Sequence, residues 1–129
     1  MPKARALLVR VPDRPGMLGE IASALGEKSI NLVAVHGSNE GGQGVVRMVV
    51  DAHAAARKVL AAHGWEPEEE EVLEVVLADK PGTLGEAAKL LGDAGINIKY
   101  VFASTTGSRK AIAYLAVSDL KKALKALRG

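Results

Sequence analysis

The stretch DRPGMLGEIASAL at positions 13–25 recurs as DKPGTLGEAAKLL at positions 79–91. At a constant offset of 66, residues 13–38 and 79–104 are identical at thirteen of 26 positions. Further along, VVRMVVDAHAAARKVL and IAYLAVSDLKKALKAL match as a strand followed by a helix, with the offset shifted by one or two residues. The chain therefore contains a duplicated unit of roughly 65 residues, and we place the two copies at 1–71 and 72–129.

Composition limits the class of protein. Of the 129 residues, 48% are apolar and 25% are charged, as in globular chains. The absence of cysteine excludes disulfides and thiolate metal ligands. The N-terminal MPKARALLVRVP lacks the apolar centre of a secretory signal, and no apolar run approaches the roughly 18 residues that cross a bilayer. We expect a cytoplasmic protein without membrane contact, and a net charge of +2 does not indicate a nucleic-acid partner.

Within each copy the apolar period changes from two to 3.6 and back, which predicts strands and helices in a fixed order. LLVRV at 7–11 and VLEVVLA at 72–78 predict first strands. INLVAVHGS and INIKYVFAS predict second strands, and VVRMVVD and IAYLAVS predict third strands after a hairpin turn. Asp51 and Asp119 are predicted to cap the second helices. The apolar stripes of the first helices are Leu18, Ile21, Ala22 and Leu25 in one copy, and Leu84, Ala87, Ala88 and Leu91 in the other.

The order β-α-β-β-α predicts an α+β fold of two tandem ferredoxin-like βαββαβ units with antiparallel sheets. WEPEEEE at 65–71 is the candidate for the fourth strand of the first copy, and we expect the second copy to lack its last strand. We interpret the glutamates as a solvated linker or a charged edge strand, with an acidic binding site as the alternative. Because the third strand of the first copy and the strand at 72–78 carry apolar residues on both sides, we expect the sheets to associate in a homodimer.

The motif that these copies share resembles the ACT domain. Its residues are D-(R/K)-P-G-x-L after a strand, then a helix, then (S/G)-I-N-(L/I) at the start of the next strand. Two such units in tandem are similar to stand-alone tandem ACT proteins, which are regulatory modules of amino-acid metabolism. The resemblance implies that a small ligand, usually an amino acid, binds where the strand–helix loop of one unit meets the second strand of another.

The chemistry of the loop supports that role independently of the resemblance. Gly16 and Gly82 allow a ligand close to the backbone, and the N–H groups that follow them lie at a helix N-terminus, which attracts a carboxylate. An aspartate before each loop can accept from an ammonium group, and an asparagine has both donor and acceptor. Side-by-side units would bring Asp13 to Asn97 and Asp79 to Asn31. The candidate ligand-binding residues are Asp13, Gly16, Met17, Leu18, Asn31, Asp79, Gly82, Thr83, Leu84 and Asn97.

The same residues also have purely structural interpretations. Aspartate before Pro-Gly is a common turn residue, and an asparagine at the start of a strand can satisfy local backbone groups. Gly95 fits the left-handed position that ends the first helix of an ACT unit, but Ser29 stands there in the first copy, at an expected cost of about 1 kcal/mol. The first copy is therefore expected to end its helix differently, which weakens the prediction for Asn31.

Other kinds of site are not favoured. His36, His53 and His63 lack metal-ligand spacing, no Ser/His/Asp arrangement is evident, and no cofactor is implied. Gly41, Gly42 and Gly44 predict a hairpin turn rather than a phosphate loop. Tyr100 and Phe102 resemble the stacking aromatics of RNA-binding sheets, but they occur in one copy only.

The sequence thus predicts a non-enzymatic regulatory protein that binds an amino acid between ACT units and acts through assembly or through contact with an unidentified metabolic enzyme or regulator. The alternative is a structural dimerisation or interaction module without a ligand.

Overall fold

The computed structural model describes residues 3–105 and 107–128. None of the helices in these ranges has both the length and the apolar character needed to cross a membrane. The elements in chain order are β1 (Lys3–Pro12), α1 (Met17–Glu27), β2 (Leu32–Glu40), β3 (Gln43–Val50), α2 (His53–Ala62), β4 (Glu68–Ala78), α3 (Thr83–Asp93), β5 (Ile98–Thr105), β6 (Lys110–Val117) and α4 (Leu120–Arg128).

The chain divides into two compact units. The first comprises Arg5–Glu70, and the second comprises the described residues from Glu71 onward together with Lys3 and Ala4. In the first unit the strand order is β2-β3-β1, and in the second it is β4-β6-β5, with every neighbouring pair antiparallel. No strand follows α4 in the described residues. The prediction of two tandem ferredoxin-like units, the second without its last strand, is confirmed.

Each unit has a core between its helices and one face of its strands. Alternate residues of the strands enter these cores, since successive side chains of a strand point to opposite faces. In the first unit the core includes Leu7, Val9, Val11, Met17, Ile21, Leu25, Ile30, Val46, Met48, Ala56 and Leu60. In the second it includes Leu73, Val75, Leu91, Ile96, Ala113, Leu115, Val117 and Ala123.

The predicted helix stripes are partly wrong at their beginnings. Leu18 and Leu84 are 50% and 40% exposed, although the period of 3.6 placed them on the buried face. In the first unit Met17, the first residue of α1, is buried instead of Leu18. In the second unit the first residue of α3, Thr83, is partly exposed instead.

The two first helices begin and end in the same way. Gly16 and Gly82 precede them with φ angles of 89° and 92°, a left-handed conformation that favours glycine. Ser29 follows α1 with a φ of 58°, and Gly95 follows α3 with a φ of 75°. After each, the next residue donates its N–H to a carbonyl five positions back, Ile30 to Leu25 and Ile96 to Leu91. The expectation that the first unit ends its helix differently is therefore wrong.

The second helices differ at their starts. Asp119 caps α4 as predicted, since its Oδ1 accepts from the N–H of Lys122 at 3.0 Å. The prediction for Asp51 is wrong, because Ala52 is the residue before α2 and no side chain caps that helix. Asp51 Oδ1 instead accepts from the N–H of Asn31 at 2.9 Å, a role that Ser118 takes towards Asn97 in the second unit.

The glutamate run is the beginning of β4 rather than a free linker. Glu68 pairs with Arg10 at 2.9 Å, and Glu69 pairs with Arg57 at 2.8 Å and with His53 at 3.2 Å. The hydrogen bond from His53 is the main cause that lowers the pKa of Glu69 below its usual range. The run therefore makes ion pairs with the first unit, which favours the charged strand over the acidic binding site.

Candidate functional site

A cavity of about 320 Å³ opens beside the loop between β4 and α3 in the second unit. Four of the predicted ligand-binding residues, Asp79, Gly82, Thr83 and Leu84, line it. Its volume lies at the lower end of the range for small-molecule sites, which is about 300–1,000 Å³. The full lining is Leu77, Ala78, Asp79, Lys80, Gly82, Thr83, Leu84, Gly85, Ala103, Ser104, Thr105 and Ala111.

Several residues that line this cavity offer hydrogen-bond acceptors. Thr105 Oγ1 donates to Asp79 Oδ2 at 2.5 Å, and Thr83 Oγ1 donates to the carbonyl of Ala78 at 2.7 Å. Each hydroxyl proton is thereby used within the protein, while the hydroxyl oxygens and the second carboxylate oxygen retain lone pairs. These acceptors suit a ligand group that is a hydrogen-bond donor, such as an ammonium.

Donors gather at the start of α3. The first intrahelical bond runs from the N–H of Glu86 to the carbonyl of Gly82 at 2.9 Å, so the N–H groups of Leu84 and Gly85 precede the helical hydrogen-bond ladder. Lys80 lines the same cavity, and its ammonium has no carboxylate within 4.0 Å in residues 3–105 and 107–128. The ammonium of Lys80 and the N–H groups of Leu84 and Gly85 all favour a carboxylate as ligand.

The equivalent loop of the first unit has the same backbone but different side-chain contacts. Asn39, the counterpart of Thr105, donates from Nδ2 to Asp13 Oδ2. Arg14, the counterpart of Lys80, makes a two-pronged contact with Glu20 at 2.7 and 3.4 Å. That hydrogen bond lowers the pKa of Glu20 and raises the pKa of Arg14. Met17, the counterpart of Thr83, is 6% exposed and belongs to the core.

Asn31 and Asn97 lie at the far end of the first helices, next to the starts of the second strands. Their backbones are fixed by paired hydrogen bonds. The N–H of Asn31 donates to Asp51 Oδ1 and its carbonyl accepts from the N–H of Asp51, and Asn97 makes the same two bonds with Ser118. Both side chains are exposed. Within either unit these asparagines are not part of the loop site, so their role in binding stays a prediction.

Sequence reasoning missed several groups that line the cavity, chiefly Lys80, Ser104 and Thr105. The contact of Asp79 with Thr105 joins residues 26 positions apart, and the contact of Asp13 with Asn39 has the same separation. The sequence did contain a signal for these contacts, because a polar residue lies 26 positions after each of the two aspartates. For metals, the described part of the chain brings no three His, Asp or Glu side chains close enough to hold an ion.

The family model described as ACT domain matches residues 5–63 and again residues 72–129. The chain belongs to the ACT domain family. The two matches carry the two loops and the two predicted asparagines, so the resemblance based on the D-x-P-G-x-L motif is confirmed. No curated protein matches the chain.

Solved structures share the fold of this ACT protein over nearly its whole length. Protein BT0572 from Bacteroides thetaiotaomicron is 22% identical with a TM-score of 0.91, and the match covers 98% of this chain and 87% of that one. The ligand-free regulatory subunit of aspartate kinase from Thermus thermophilus is 20% identical with a TM-score of 0.71, covering 99% and 92%. The corresponding subunit from Thermus flavus is 19% identical with a TM-score of 0.61, covering 98% and 90%.

Proposed function

We propose that this ACT protein is a regulatory protein that binds an amino acid at its strand–helix loops. The observation that carries the proposal is the cavity of the second unit, whose lining has acceptors on Asp79, Thr83 and Thr105 and donors on Lys80 and at the start of α3. A zwitterion has an ammonium for the acceptors and a carboxylate for the donors. The leucines and alanines of the lining provide an apolar wall for the side chain of the amino acid.

The site is completed by the second strand of another ACT unit, as the family resemblance implies. Asn97 would serve the loop that begins at Asp13, and Asn31 the loop that begins at Asp79. The exposed side-chain amides and fixed backbones of both asparagines support this assignment. Because the backbone of each asparagine is already fixed, only its side chain, which has both donor and acceptor, remains to be ordered on binding.

Ligand binding at this site changes either the contact with a partner protein or the oligomeric state of the chain. A ligand that needs two units to complete its site stabilises the arrangement that brings them together, by as much as its affinities for the two arrangements differ. The solved structures include a regulatory subunit of aspartate kinase, which supports a partner enzyme or regulator in trans. We infer a homodimer as the assembly that responds, and the protein itself is not an enzyme.

Thermal unfolding with each of the common amino acids at millimolar concentration tests the proposal. A ligand present at 100 times its Kd adds about 2.7 kcal/mol to the free energy of unfolding, so binding raises the Tm. Asp79→Asn is the matched variant, because the amide oxygen still accepts from Thr105 while the charge that attracts an ammonium is lost. We expect an upward shift with one or two amino acids, reduced in Asp79→Asn. No shift with any of them would favour the structural interaction module.

A further inference from the structure

The two copies of the loop differ at the positions that open the cavity. Positions 80, 83 and 105 correspond to 14, 17 and 39 at the offset of 66. We propose that the second unit alone binds the ligand, one molecule per chain, and that the first unit keeps the fold of a binding loop without its activity. This inference rests on the proposed function, since it concerns the same kind of site.

The residue at the start of the first helix has different surroundings in the two units. Thr83 is a partly exposed residue on the wall of the cavity, and its hydroxyl is anchored to carbonyls of the loop itself at 2.7 and 3.2 Å. Met17 instead extends into the core with Ile21 and Leu25. A thioether is at most a weak acceptor, so the first unit lacks the hydroxyl oxygen that Thr83 contributes.

The cation of the loop is free in one unit and engaged in the other. Arg14 uses two of its nitrogens on Glu20, and a carboxylate ligand would have to displace that pair. In the second unit the counterpart of Glu20 is Glu86, and Lys80 lies more than 4.0 Å from its carboxylate among the described residues. A carboxylate ligand therefore meets an available ammonium only in the second unit.

The polar groups of the second strand show the same difference. Ser38 donates to Glu40 at 2.7 Å, and Glu40 in turn accepts from Arg47 at 2.6 Å. At the corresponding place in the second unit, Ser104 contacts only the neighbouring carbonyl of Thr105, at 3.3 Å. Arg14 and Ser38 of the first unit thus have carboxylate partners, whereas Lys80 and Ser104 have none among the described residues.

Amide NMR spectra with the common L-amino acids, added singly at millimolar concentration, test this inference. We expect an effective amino acid to shift the amides of Gly82, Leu84 and Gly85 and to leave those of Gly16, Leu18 and Gly19 unchanged. Shifts in both loops, or in the first loop alone, overturn the inference and leave the proposed function standing. Shifts in neither loop with any amino acid remove the proposed function and the inference together.

Variants at position 83 identify the determinant. Thr83→Met copies the first unit and is expected to raise the Kd at least tenfold, while Thr83→Ser keeps the hydroxyl and binds within about threefold of the original, a difference in Kd that corresponds to well under 1.4 kcal/mol. The control is Lys121→Gln, an exposed residue of α4 outside the cavity lining, which leaves the Kd unchanged. Unchanged binding in a folded Thr83→Met variant, or lost binding in Thr83→Ser, overturns the role of position 83.

Discussion

Ser29 carries backbone strain that Gly95 avoids at the equivalent position. Their φ angles of 58° and 75° both lie in the left-handed region, where a side chain costs roughly 1–2 kcal/mol. Ser29→Gly is expected to raise the free energy of unfolding by about 0.5–1 kcal/mol, since relief of strain exceeds the added entropy of the unfolded chain. Urea unfolding followed by circular dichroism measures the change.

Gly95→Ser is the matched reverse substitution. A Cβ at Gly95 would meet only the Nζ of Lys122, at an ordinary contact distance of 3.9 Å, so the substitution tests the backbone rather than packing. We expect a loss of about 0.5–1 kcal/mol. Destabilisation by Ser29→Gly would contradict the argument and would indicate that the serine side chain stabilises the end of α1.

Glu40 links the stability of the first unit to pH. Its hydrogen bonds with Arg47 and then Ser38 lower its pKa from 4.5 to about 2. Because the carboxylate is the bound form, its contribution is complete above the unfolded pKa and is lost as the pH falls through the folded one. The window of loss therefore runs from about pH 4.5 to about pH 2.

Glu40→Gln provides the comparison for this pH dependence. The difference in urea midpoint between the original protein and Glu40→Gln should be constant near neutral pH and should shrink as the pH falls below about 4.5. Arg47 keeps a second carboxylate partner in the variant, Glu70 at 3.6 Å, so the side chain is not left without a counter-charge. A difference that grows in acid would contradict the assignment.

At the scale of elements, Asp119 caps α4, whereas Asp51 does not cap α2 and accepts instead from the N–H of Asn31. Asp119→Ala is expected to lower the free energy of unfolding by about 1 kcal/mol, because it removes the acceptor for the N–H of Lys122. Asp51→Ser is expected to change it by less than about 0.5 kcal/mol, since serine already makes the equivalent bond to Asn97 in the second unit. Equal losses in the two variants would show that Asp51 stabilises α2 after all.

The elements were predictable because the repeat, the periodicity and the turn residues agree. The starts of the helices were not, since a stripe of period 3.6 does not show which residue of the first turn follows a left-handed glycine, and so Leu18 was placed inside and Met17 was not. The aspartates of the candidate site were predictable from local chemistry. Their partners Asn39 and Thr105 were not, because strand pairing brings them close across 26 positions.

At the scale of the whole molecule, duplication separates what is shared from what has changed. The two units keep the glycine turn, the helix ends and the fixed asparagine backbones. They differ in the side chains around the loop, and the contacts of those side chains appear only in the structure. The boundaries at 1–71 and 72–129 stay a prediction, while the ACT family matches occupy residues 5–63 and 72–129.

Self-association is the last prediction, and the sheet face opposite the helices of the second unit is its basis. Residues of β6 that alternate with the core place Tyr114 on that face, where it lies 5.5 Å from Phe102, and Tyr100 lies 6.1 Å from Phe102 in turn. Phe102 and Tyr100 are half-buried in the chain alone. Tyr114 is 4% exposed, so Tyr100 and Phe102 supply the accessible aromatic area, which is typical of an interface, and we expect a homodimer through it.

Phe102→Glu should convert the dimer to a monomer, because it would bury a charge in the interface without a partner. Val101→Glu is the control, since Val101 pairs with Leu115 and therefore lies on the other face of β5, where it is 42% exposed. Sedimentation velocity should give twice the chain mass for the original protein and for Val101→Glu, and the chain mass for Phe102→Glu, with circular dichroism confirming that both variants fold. A monomeric original protein, or a dimer lost only in Val101→Glu, would show that the aromatic face is not the interface.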